Sequence, residues 1–234
     1  MSRTFASIIS LFLLATGTIA AQAANETVQS DSIFNVQKYG LRVGVDLSKP
    51  FRTLIDDNYS GFEIMADYRL TKNIYPAIEF GNEQRTTYDD VLTSKGSGSY
   101  VKIGADYNMH KNWAGLNNMI YMGLRYGFST FSQDLIDYTI NTQSPVFPVD
   151  FRPVNSTYDG LNAQWVELIV GVKTEIATNL FLTLNLQLKR RVSEKAPENF
   201  ENLYIPGFNR TYENSSIGAG FSYGISYLIP LFKK

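Results

Sequence analysis

The chain of 234 residues holds 21 basic and 22 acidic side chains, a net charge of −1 that gives no general pull toward nucleic acid or an anionic surface. It has no cysteine, which excludes a disulfide framework, a Cys/His metal cluster and a lipid-anchored lipoprotein. Aromatic residues make up 14%, nearly all Tyr and Phe, a composition suited to strands and to membrane-interface belts.

The N-terminus reads as a secretory signal peptide over residues 1–23. Arg3 supplies the positive charge, Ile8 to Ala15 the short apolar core, and Ala21-Gln22-Ala23 an A-x-A cleavage site. That core is too short to span a bilayer as a helix, and no later stretch approaches the ~18 apolar residues a spanning helix needs. A short polar segment, 24–38, leads into residues 39–234, which form the expected barrel domain.

From there the dominant pattern has a period of two residues, the signature of strands with one apolar face. The first strand runs from Tyr39 to Leu47, with Leu41, Val43, Val45 and Leu47 opposite Arg42, Gly44 and Asp46. The second sets Phe62, Ile64, Ala66, Tyr68 and Leu70 against Glu63, Met65, Asp67 and Arg69. Thr71-Lys72-Asn73 turns into the third, where Ile74, Ile78 and Phe80 oppose Tyr75, Ala77, Glu79 and Gly81, and where Pro76 marks a strand start or bulge. The fourth opposes Val101, Ile103, Ala105 and Tyr107 to Tyr100, Lys102, Gly104 and Asp106; the fifth spans Ile120 to Ser129 with Arg125 on its polar face. The sixth carries Glu167, Lys173 and Glu175 against Val166, Leu168, Val170 and Val172. The seventh is the clearest: leucines at 180, 182, 184, 186 and 188 alternate with Phe181, Thr183, Asn185 and Gln187, and Lys189 follows. The eighth alternates Ile217, Ala219, Phe221, Tyr223, Ile225, Tyr227 and Ile229 with Gly and Ser. The fold class is therefore all-β, an eight-stranded antiparallel up-and-down transmembrane β-barrel.

Loop lengths orient it. The connections after strands two, four and six are short, whereas those after one, three, five and seven run to roughly 12, 16, 29 and 23 residues, as in barrels with short periplasmic turns and long external loops. Periodicity alone does not say which face is inside, since a soluble barrel turns its apolar face inward. Three features choose the membrane version: glycines crowd the polar face, where a narrow barrel has little room; seven cations and seven anions balance there; and Tyr39, Tyr68, Tyr107, Tyr126, Phe128, Tyr223 and Tyr227 sit near strand ends on the apolar face. The expected lumen network comprises Arg42, Glu63, Asp67, Glu79, Lys102, Asp106, Arg125, Glu167, Lys173 and Lys189, with Glu79, Lys102, Arg125 and Glu167 meeting near mid-barrel. Bulk from Met65, Tyr75, Tyr100, Tyr121, Trp165, Ile169 and Phe181 favours a plugged interior over a narrow gated path.

In layout the chain resembles the small eight-stranded OmpA/OmpX-type barrels. The stretches Tyr39–Pro50, Leu124–Phe131, Asn202–Arg210 and Ile225–Lys234 resemble an uncharacterised family of Bacteroidetes outer-membrane barrel proteins. That resemblance implies the fold and an outer-membrane location and brings no activity with it. One departure is the terminus: many such barrels end on an aromatic residue read by the barrel-assembly machinery, whereas Phe232 is followed here by Lys233-Lys234.

Chemistry is sparse. An outer-leaflet lipid enzyme generally needs a general base, most often His, and the one histidine, His110, falls in a short turn at the opposite end. No catalytic set, cofactor or metal site is expected. Function is expected in the long loops, where Tyr138, Phe151, Arg152, Tyr204, Phe208 and Arg210 are the candidate binding residues. Two readings stay open: these aromatics and arginines anchor an external protein, glycan or lipopolysaccharide, or they pack on one another to cap the barrel mouth. Other expected partners are outer-membrane lipid and the assembly machinery; no nucleic acid is expected. The role read from the sequence is structural or surface-interacting, with a narrow channel or transporter next and a lipid-modifying enzyme last.

Overall fold

The computed structural model describes residues 38–89, 91–109, 118–140, 150–198, 200–212 and 215–233. The signal peptide and His110 lie outside the described residues. Eight antiparallel strands close into a barrel: β1 (Lys38–Asp46), β2 (Tyr59–Tyr68), β3 (Ile74–Tyr88), β4 (Leu92–Asn108), β5 (Met119–Ile140), β6 (Asp150–Ala177), β7 (Leu180–Glu194) and β10 (Ile217–Lys233). Each pairs with its neighbour in sequence, and β10 returns to β1 to complete the ring. A helix, α1 (Ser48–Ile55), follows β1, and a two-residue hairpin of β8 (Tyr204–Ile205) and β9 (Asn209–Arg210) lies in the last long connection.

Polarity is inverted relative to a water-soluble protein. On β7 Leu184, Leu186 and Leu188 are 55%, 70% and 55% exposed, while the intervening Thr183, Gln187 and Lys189 are buried. The same division runs round the ring: Val43, Ile64, Ile78, Ile103, Leu124 and Val170 face out, and Arg42, Glu63, Lys102, Asp106 and Arg125 face in. A soluble domain does not expose a continuous apolar girdle of this kind; it is the surface of a transmembrane β-barrel. Tyr107, Tyr126 and Tyr227 lie on this outer face.

The tight turns are built locally. Thr71 Oγ1 accepts from the backbone N–H of Ile74 at 3.0 Å, and Asn179 takes the left-handed conformation (φ 63°) that asparagine tolerates better than branched residues do.

Four features depart from the sequence expectation. First, β3 to β6 run far past the apolar girdle, so the long connections expected after the third strand and over Ser132–Gly160 are mostly hairpin extensions among the described residues. Beyond the girdle both faces meet polar surroundings and hydropathy loses its period. Side-chain pairs such as Asn82–Ser99 at 3.0 Å and Thr157–Asp134 at 2.7 Å link the ladders there. Second, the first long connection contains α1. Its apolar residues, Phe51, Leu54 and Ile55, recur at the spacing of one helical face, Pro50 lies in the first turn where its missing N–H costs nothing, and Asp46 Oδ1 accepts from Ser48 N–H at 2.8 Å. Leu47 is accordingly the helix cap and not a strand residue. Third, Tyr39 is buried and not on the outer belt: the Arg69 guanidinium lies over its ring at 4.8 Å, beside a bulge that leaves Leu231 of β10 unpaired. Fourth, Pro76 causes no bulge. It faces outward opposite Ala105, and pairing with β2 begins one residue later, at Ala77.

Candidate functional site

The lumen is threaded by one continuous chain of alternating charge. Arg42 binds Asp67 at 2.7 Å, and Lys173 bridges Asp67 at 2.8 Å and Asp106 at 2.9 Å. Arg125 links Asp106 at 2.6 Å to Glu79 at 3.1 Å, and Lys102 carries on from Glu79 at 2.6 Å to Glu63 at 3.1 Å. A side branch joins Lys102 to Glu167 at 4.0 Å, and Glu167 to Lys189 at 3.4 Å and to the Trp165 indole N–H at 2.7 Å. All ten residues of the expected lumen network thus face the interior, and Glu79, Lys102, Arg125 and Glu167 meet around Lys102. Buried charges of this number hold only when each has its counter-ion. Among the described residues a cavity of about 20 Å³ is bordered by Glu79, Asp106, Arg125 and Lys173, room for about one water molecule.

Small residues make the packing feasible. Gly127 lies flat against the Trp165 indole, where any Cβ would strike the ring.

The chain of charge continues into the mouth opposite the tight turns, through Glu83 and Lys49, which the strand pattern missed. The Tyr100 hydroxyl donates to Glu63 at 2.5 Å and lies 3.3 Å from Glu83, which is fully buried. Glu83 also receives the Tyr204 hydroxyl, the Gly207 backbone N–H at 3.1 Å and the Lys49 ammonium from α1. From the opposite wall, Lys189 Nζ donates to the Gly207 carbonyl at 2.6 Å. The β8–β9 hairpin is thereby pulled down into the barrel as a plug, with Tyr204, Ile205 and Phe208 each no more than 1% exposed. Phe208 stands edge-on to Trp165 at 6.0 Å, and Gly207 takes φ +82° with its α-carbon against the Tyr100 ring. Burial and the Glu83 carboxylate hold the Tyr204 phenol well above the ordinary tyrosine value, so it remains a donor. Burial pulls the Lys49 ammonium down, but the Glu83 carboxylate outweighs it and keeps lysine above its ordinary value. The signal for Glu83 was in the sequence: Tyr75, Ala77, Glu79, Gly81 and Glu83 continue one period-two series.

The six candidate loop residues separate into two groups. Tyr204 and Phe208 are not external anchors; they cap the mouth from within, where the Glu83 carboxylate and the Trp165 indole receive them. Phe151 and Arg152 are exposed on the extension of β6, and Arg152 pairs in register with Tyr138 of β5. Tyr138, Tyr158 and Phe200 border a groove of about 460 Å³ on this rim. Arg210 stands exposed on β9, 3.9 Å from Asp89.

Several solved structures are similar to this chain at low identity. They include the attachment invasion locus protein Ail of Yersinia pestis (9% identity, TM-score 0.38, covering 82% of this chain and 98% of that one). Neisserial surface protein A matches with 9% identity, TM-score 0.40 and coverage of 82% and 95%. A major outer membrane protein from Thermus thermophilus matches with 15% identity, TM-score 0.41 and coverage of 82% and 98%. No curated protein matches the sequence. The family match extends over residues 1–234, and the chain belongs to the family described as Domain of unknown function (DUF6048).

Proposed function

We propose that the protein is an integral outer-membrane β-barrel with a structural or surface-interaction role, exported through a signal peptide over residues 1–23 and closed to bulk flow by its lumen and plug. The observation that carries this reading is the inverted polarity: leucines and isoleucines girdle the outside while paired charges fill the inside. A girdle of that kind suits a bilayer, and a barrel is one of the two backbone arrangements that satisfy every hydrogen bond there. The rim of half-buried Tyr138 and exposed Phe151, Arg152 and Arg210 is the binding surface in this reading, for an external protein or glycan or for lipopolysaccharide.

The test is cell fractionation combined with gel migration of unheated and heated samples. A compact fast-migrating species in the outer-membrane fraction is expected; a soluble periplasmic product would refute the reading. Planar-bilayer recording then separates a plugged barrel from a channel. Wild type should conduct little, and Glu83→Ala, which frees Tyr204, Gly207 and Lys49 together, should raise conductance clearly. Large, ion-selective conductance in wild type would favour a transporter instead.

A further inference from the structure

The barrel wall is incomplete on its outer half between β10 and β2. The β1 ladder ends where Asp46 meets Gly224, whereas on the other flank of β10 the β7 ladder continues to Ile217. Among the described residues, Ile217–Tyr223 of β10 and Tyr59–Glu63 of β2 therefore have no strand between them. Helix α1 covers this notch. Leu47 N–H donates to the Tyr223 carbonyl at 2.8 Å, Phe51 stands edge-on to Tyr223 at 6.4 Å, and Gly61 N–H donates to Thr53 Oγ1 at 3.1 Å.

The cover leaves a cleft of about 510 Å³ between α1, the outer half of β10 and the plug. One flank is apolar: Phe51, Ile55 and Phe221 border it, and all three also belong to the exposed apolar surface. The other flank is cationic. Among the described residues the carboxylates in range are loose ones: Asp56 lies 3.7 Å from Arg52, which also stacks over the Tyr59 ring at 4.2 Å, and Asp89 lies 3.9 Å from Arg210. Arg85 lies over the Tyr204 ring, with no carboxylate in ion-pair range among the described residues. Lys49 also borders the cleft, but its charge is engaged by Glu83. Among the described residues no acidic side chain lines it.

We propose that this cleft is a lateral site for a lipid of the surrounding leaflet whose phosphate-bearing head group carries a net negative charge. The acyl chain lies along Phe51, Ile55 and Phe221, and the phosphate sits among Arg52, Arg85 and Arg210. Guanidinium groups match phosphate oxygens in paired hydrogen bonds, and the apolar flank is continuous with the girdle. A lipid therefore reaches the arginines by moving in the plane of the bilayer, without its chain leaving hydrocarbon. The proposal rests on the outer-membrane reading above.

The experiment uses the full barrel in phosphatidylcholine vesicles, with Phe221→Trp as a fluorescent reporter and the signal of the native tryptophans subtracted. Brominated phosphatidylglycerol should quench this reporter about fivefold more effectively than brominated phosphatidylcholine at equal mole fraction, the enrichment that roughly one arginine–phosphate attraction supplies. Adding Arg85→Gln should bring the two lipids to parity, and Lys72→Gln, at the opposite end, should leave the preference intact. Equal quenching by the two lipids in the reporter, or equal loss from Lys72→Gln, would overturn the site. Abolition of the preference by inorganic phosphate would assign the arginines to a free anion and likewise overturn the lipid. Heat-modifiable migration of each variant is read in parallel. A variant that migrates as a barrel but shows no preference refutes the site alone, while loss of the compact species in every variant and wild type refutes the membrane barrel itself.

Discussion

Lys102 is the hub of the lumen, and its removal has a calculable pattern of consequences. Its ammonium lies 3.1 Å from Glu63, 2.6 Å from Glu79 and 4.0 Å from Glu167. Lys102→Met keeps most of the stem and deletes the charge. Glu79 then retains Arg125 at 3.1 Å, and Glu167 retains Lys189 at 3.4 Å with the Trp165 N–H at 2.7 Å. Among the described residues Glu63 keeps only the neutral Tyr100 hydroxyl, at 2.5 Å. One stranded carboxylate in the interior costs roughly 3–5 kcal/mol. Because the cost sits mainly on Glu63, adding Glu63→Gln to Lys102→Met should restore about 2 kcal/mol and not subtract more, since an amide in place of a stranded charge carries a much smaller burial penalty. The assay is equilibrium urea unfolding of the folded barrel in lipid vesicles, followed by unheated gel migration and by the fluorescence of buried Trp165. If the double variant is less stable than Lys102→Met, or if Lys102→Met costs under about 1 kcal/mol, the alternating chain does not work as a unit of counter-ions.

Two further outcomes are expected. Leu186→Arg places a charge on the 70%-exposed centre of the leucine face; in the same vesicle titration it should cost about 2–4 kcal/mol, and a neutral result would mean that this face does not meet lipid. Gly207→Ala must place a Cβ at φ +82° only 2.6 Å from the Tyr100 ring, so the plug should lose about 1–3 kcal/mol of local stability and residues 200–212 should be cut faster in limited proteolysis; unchanged protection would mean that Gly207 is not what seats the plug.

How far the sequence foretold this structure depended on whether lipid was the neighbour. Where one face meets hydrocarbon and the other a packed lumen, every second residue is constrained, and β7 can be read residue by residue. Above the girdle that contrast disappears. Thr130, Ser132 and Asp134 of β5 alternate with Phe131 and Gln133, but the outer face no longer needs to be apolar, so the extension to Ile140 reads as loop. The same loss hid Glu83, which lies two residues past the last glycine of an otherwise legible series. Helix α1 was hidden for a different reason: eight residues give barely two turns, too few for periodicity to announce itself. Tyr204 and Phe208 show the remaining limit. Aromatic composition marked them as important, but whether they turn outward or inward depends on Glu83 and Trp165, partners more than 40 positions away in sequence that no local pattern names.

The uneven height of the wall carries a consequence for how the barrel comes apart. β1 and β2 have 9 and 10 residues, whereas β5 and β6 have 22 and 28. Cohesion between neighbours is therefore thinnest at β1 and thickest on the far side of the ring. Unfolding should unzip from the β1 side, whose amides should exchange with solvent earliest, and the β5–β6 hairpin should persist longest. Run in reverse, the tall hairpin is a self-standing template and β1 joins last, so the seam that completes the cylinder is also its weakest joint.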